Sequence, residues 1–66
     1  MSTQDIQKRI DDIKTVIHDD ETAHGREDAL RSDFIAYLAS GGEEDIQSKA
    51  ALVLTTDQLS FARWCA

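Results

Sequence analysis

Proline is absent from this sequence of 66 residues, so no residue forces a helix to kink or stop. Cysteine occurs once, at Cys65, which excludes a disulfide within the chain and any paired Cys-x-x-Cys site. A lone thiol also fits a reducing compartment. Apolar runs are short. One of them, Ala50 to Leu54, reads as a core segment, and none approaches the roughly 18 residues of a membrane helix. Positive charge is scarce: 7 Lys and Arg face 13 Asp and Glu, for a net of −6. Such a balance repels nucleic-acid phosphates and anionic lipids at long range, which argues against direct DNA, RNA or membrane binding. Its natural opposite is a basic protein surface.

Length sets a further bound. A chain of 66 residues makes one domain, residues 1–66. It buries only about 60% of its unfolded surface, so its stability is marginal and a homodimer is a plausible source of extra buried area. Met1 to Asp5 is polar and carries no targeting signal, which places the expected protein in the cytoplasm.

What is present is helical periodicity. The expected fold is all-α, a small bundle of about four helices over residues 3–18, 20–40, 43–54 and 56–65. In the first, Ile6, Ile10, Ile13 and Ile17 fall at i, i+4, i+7 and i+11, a single stripe capped by Ser2 or Thr3. The second carries Ala23, Leu30, Phe34 and Tyr37, with Leu38 alongside; Gly25 is a point where it could break. Gly41-Gly42 supplies a stop signal. The third turns Ile46, Ala50, Val53 and Leu54 inward, with Glu43, Glu44 and Asp45 in its first turn against the positive end of the helix dipole. Thr55 and Gln58 have capping-box spacing for the fourth, which carries Leu59, Phe61, Trp64 and Cys65.

The acids are unevenly placed. Residues 1–45 hold 12 acids against 5 bases, a net of −7, and the stretch from Asp19 to Asp28 alone is −4. Asp5, Asp12 and Asp19 recur every seven residues, a row along the first helix away from its isoleucines. Asp20, Glu21, Glu27 and Asp28 join them near one end of the bundle, and Glu27 and Asp28 can also pair with Arg31. Like charges gathered in this way weaken a fold, so their presence points to a use in binding. The expected partner-binding residues are Asp5, Asp12, Asp19, Asp20, Glu21, Glu27 and Asp28, then Asp33, Glu43 and Glu44.

Two other constellations compete. Glu21, His24 and Asp28 share a helix face, and Glu-x-x-His is a ligand pair of di-iron bundles, but those sites use it twice. Phe61 and Trp64 are i, i+3, suited to core packing or to anchoring a dimer mate or adaptor partner. No phosphate loop, activated nucleophile or water-excluding pocket is indicated, so the chain reads as a non-enzyme without a cofactor.

The segment His18-Asp19-Asp20-Glu21-Thr22-Ala23-His24, with Glu27-Asp28-Ala29-Leu30 and the Phe61-Ala62-Arg63-Trp64-Cys65-Ala66 ending, resembles short reading frames of proteobacterial phages and prophages. Small acidic helical proteins of that origin include anti-defence inhibitors, among them anti-CRISPR proteins. Some of these imitate the phosphate array of duplex DNA and block the basic surfaces of a CRISPR effector. The resemblance implies a cytoplasmic inhibitor, acting in the bacterial host on a nucleic-acid-binding protein such as a CRISPR effector subunit.

Overall fold

The local sequence of the first element specifies its start and its buried stripe. In a computed structural model, which describes residues 1–42 and 44–63, helix α1 spans Thr3–Thr15. Ser2 caps it with a reciprocal pair of bonds: the Asp5 amide donates to Ser2 Oγ at 3.0 Å, and the Ser2 amide donates to Asp5 Oδ2 at 3.1 Å. Ile6, Ile10 and Ile13 are buried as the stripe requires, each contributing about 1.5–3 kcal/mol. The helix ends earlier than residue 18. Val16 leaves helical geometry, Ile17 is half-buried beyond the helix, and the Asp19 amide closes the turn onto the Val16 carbonyl at 2.9 Å.

Helix α2 spans Asp20–Ala39. Asp19 is its cap, accepting from the Thr22 amide at 3.2 Å and the Thr22 hydroxyl at 2.9 Å. Gly25 does not interrupt it. The stop is as expected: Gly41 adopts a positive φ of 92°, its amide bonds the Leu38 carbonyl, and the Gly42 amide bonds that of Tyr37. A Cβ at Gly42 would collide with the Tyr37 ring, so this turn also needs a bare backbone for packing. At 20 residues α2 is about 30 Å long and sets the 33 Å long axis of the molecule.

The structure departs from expectation after residue 42. Helix α3 spans Ile46–Leu54, not 43–54. Asp45 takes a left-handed conformation, φ 53°, which a right-handed helix cannot accommodate and which Asp tolerates better than most residues. Glu44 and Asp45 thus precede α3 instead of forming its first turn; Glu43 lies outside the described residues. Leu54, expected inside, is 57% exposed. The fourth helix reduces to one 3-10 turn, Thr55–Gln58. Thr55 caps nothing there, its hydroxyl donating back to the Leu52 carbonyl at 2.6 Å. Residues 59–63 are non-helical, and Trp64 and Cys65 lie outside the described residues.

Among the described residues the fold is therefore all-α, with three α-helices and no strand. Arg9 opposite Asp33 and Arg26 opposite Asp12 make α1 and α2 antiparallel. The core joins Ile6, Ile10 and Ile13 to Ala23, Leu30 and Phe34 of α2 and Val53 of α3. Lys49 of α3 is buried on the same side, its ammonium donating to the Tyr37 hydroxyl at 2.8 Å. No described helix is long and apolar enough to cross a membrane.

Candidate partner-binding surface

Folding divides the expected acidic residues into two groups. The first is used by the fold itself. Asp5 is tied into the Ser2 cap, and hydrogen bonds from the Ser2 backbone and side chain hold its carboxyl below the usual range. Asp19 is held low in the same way by Thr22. Asp33 pairs with Arg9 at 2.7 Å across the α1–α2 seam. Asp20 accepts the Ala62 amide at 3.0 Å, fixing the segment that returns along α2.

Glu27 departs most from expectation. It is only 2% exposed, so it cannot belong to a binding surface. Arg63 meets it in a two-pronged contact, Nε to Oε1 at 2.8 Å and Nη2 to Oε2 at 3.0 Å. Arg63 Nη2 also donates to the Thr56 carbonyl at 2.7 Å, and its guanidinium lies 3.9 Å above the Phe61 ring. The Thr56 hydroxyl sits against the Val53 carbonyl at 3.1 Å and accepts from Arg31, which continues to Asp57 at 2.6 Å. Burial pushes the Glu27 carboxyl up. The hydrogen bonds of Arg63 and Thr56, with the charges of Arg31 and Arg63, outweigh that and hold it below the usual carboxylate range. Phe61 accordingly packs half-buried on the core beneath Arg63 instead of standing out as an anchor.

A signal for Glu27 was present in the chain. Ala23, Glu27, Leu30 and Phe34 fall at i, i+4, i+7 and i+11, the spacing of the isoleucine stripe, so Glu27 fills the gap in the apolar face of α2. Its partner Arg63, 36 residues away, carries no comparable local mark.

The second group remains at the surface. Asp12, Glu21 and Asp28 are exposed, as is Asp11, which accepts from Gln7 at 3.0 Å. Asp28 does not join Arg31; it lies 3.4 Å from His24 Nε2. The row Asp5, Asp12, Asp19 is broken, because α1 ends at Thr15 and Asp19 belongs to the next element. Asp5 lies at the far end of α1, which is about 20 Å long. Glu44, exposed, stands beyond the other end of α2. What flanks the turn joining α1 to α2 is the segment 11–28, which holds the exposed Asp11, Asp12, Asp19, Asp20, Glu21 and Asp28 against Lys14 and Arg26, a net of −4. A groove of about 380 Å³ opens beside it, lined by Arg9, Asp12, Arg26 and Ala29, where Arg26 donates to the Asp12 carbonyl at 3.4 Å. Cations therefore interleave with the acids along the seam.

Among the described residues, no group of three or more His, Cys, Asp or Glu is gathered at metal-binding spacing, and Glu21 does not join His24 and Asp28 in one. Compared with known proteins, the chain matches no family model, no curated protein and no solved structure.

Proposed function

We propose that the protein is an interaction protein that occupies a basic, nucleic-acid-binding surface of another protein through the carboxylates around its α1–α2 turn. What supports this reading is the concentration there of six exposed acids against two cations, on a helical hairpin. Asp12, Glu21 and Asp28 project from it as exposed carboxylates and act as phosphate surrogates for Lys and Arg of the partner. Asp19 and Asp20 contribute charge from fixed positions, since each is already held by a hydrogen bond. Asp5, Asp33 and Glu44 stand away from this cluster and are secondary.

The most concrete partner is the one that the resemblance to phage anti-defence proteins suggests, a DNA-binding subunit of a CRISPR effector. Asp19 and Asp20, already held, need little ordering on contact, and electrostatic attraction speeds encounter with a basic channel. The test is a DNA-binding assay of a purified effector, paired with capture from bacterial lysate in the presence of duplex DNA. The expected result is DNA-competed capture that weakens at least tenfold in a variant carrying Asp12→Lys, Glu21→Lys and Asp28→Lys. Capture indifferent to DNA, to salt and to these reversals would overturn the reading.

A further inference from the structure

We propose that the face made by the second half of α2 and the last turn of α3 is a contact surface for a second copy of this chain. Among the described residues, the exposed large apolar side chains are Ile35 at 65%, Leu54 at 57% and Leu38 at 38%, and all three belong to this region. Ile35 and Leu54 flank a groove of about 270 Å³ lined by Arg31, Phe34, Ile35, Ala50, Val53 and Leu54, so core residues reach the surface at its floor. That volume is about nine waters' worth, room for an aliphatic side chain from outside. Knob and hole lie side by side, the arrangement a two-fold contact needs: Ile35 of each copy enters the other's groove.

Charge decides the occupant. The chain carries −6, so two copies repel each other over most of their surface. Here the repulsion is reduced, with Glu44 and Asp45 confined to the start of α3, away from its last turn. Residues 34–42 contain no charged side chain, and residues 46–56 contain only Lys49, which is buried against Tyr37. At the rim, Arg31 is already neutralised by Asp57 at 2.6 Å. A basic partner would be drawn to the opposite end of α2, whereas a like-charged copy can approach only through a neutral face. A chain this short also gains from extra burial. The nine residues of α3 are about 13 Å long, which limits the contact to the small class of interfaces, below about 1,200 Å² in total. A reversible, concentration-dependent dimer follows.

Sedimentation equilibrium across about 5 μM to 1 mM tests this. The mass should rise from 7.4 kDa toward twice that value, and the melting temperature should rise with concentration. Ile35→Glu and Leu54→Glu, at exposed positions, should each stay monomeric with unchanged helical circular dichroism. A wild-type chain that stays at 7.4 kDa throughout, or a dimer that survives both variants, overturns the proposal. Should a variant lose helicity, amide shifts of the wild-type chain between low and high concentration decide instead. Shifts confined to residues 31–38 and 50–54 support the contact, and shifts centred elsewhere overturn it. A monomeric wild type that captures a different protein through Ile35 would assign the face to a foreign apolar helix and also overturn the proposal. The acidic cluster is untouched by these variants, so failure here is separate from failure of the DNA-competed binding.

Discussion

Glu27 and Asp28 are neighbours on α2, yet one is sealed inside the protein and the other stands in water. The turn of the helix makes the difference. Successive residues sit about 100° apart, so Glu27 completes the apolar face while Asp28 falls beside it. The same division separates two regions of the molecule. Around Glu27, charge is matched atom for atom by Arg63 and Arg31 and serves the fold. Around the α1–α2 turn, charge is in excess and serves the fold only where it caps or clamps. An acid's contribution to net charge says little about its role; its position against the apolar stripe says more.

The largest effect should come from breaking the buried side of this comparison. Arg63→Ala leaves the Glu27 carboxylate without its two-pronged partner and should cost about 3 kcal/mol, enough to unfold much of a marginal domain; urea melts measure it. The combined Glu27→Leu and Arg63→Met variant should recover most of that loss, because a packed apolar pair has no charge to compensate. Acid should act on the same group. The folded carboxyl of Glu27 titrates below its unfolded value of about 4.3, so its contribution is complete above that pH and is lost as pH falls through the folded value. Melts between pH 7 and 3 should show a steep drop that is shallower in the Glu27→Leu, Arg63→Met background.

Smaller effects sharpen the exposed side. Asp19→Ala removes the α2 cap and should cost about 1 kcal/mol, setting Asp19 apart from its unclamped neighbours. Gly25 lies within α2, and a Cβ there would meet nothing within 4 Å. Gly25→Ala should therefore stabilise by about 1 kcal/mol in thermal melts without disturbing either set of acids. Glu21→Gln and Asp28→Asn should shift stability by less than about 0.5 kcal/mol while weakening partner capture. A large stability loss in either would move that residue into the structural group.

The helical class, the stripe from Ile6 to Ile13, a cap at Ser2 or Thr3 and the glycine stop were legible in the chain because each depends on residues within a few positions of one another. The start of α3 was not, since it turns on the left-handed backbone of Asp45, for which composition gives no cue. The segment from Leu59 to Arg63 has helical spacing and no proline, yet it runs non-helical because Ala62 is held by Asp20 and Arg63 by Glu27. Those are tertiary contacts, invisible to local periodicity. The acidic cluster was legible as composition, but its division into bonded and unbonded carboxylates was not.

The clasp between Glu27 and Arg63 also imposes an order in time. Arg63 follows Glu27 by 36 residues, and a ribosome adding about 5–20 residues per second needs roughly 2–7 s to cover that distance. Throughout that interval only Arg31, 4.0 Å from Glu27 in the folded protein, is there to offset this carboxylate as the α1–α2 hairpin closes its apolar face. The two-pronged contact, and with it full compensation of the buried charge, arrives only with Arg63, so the last residues of the described chain complete what the first two helices begin.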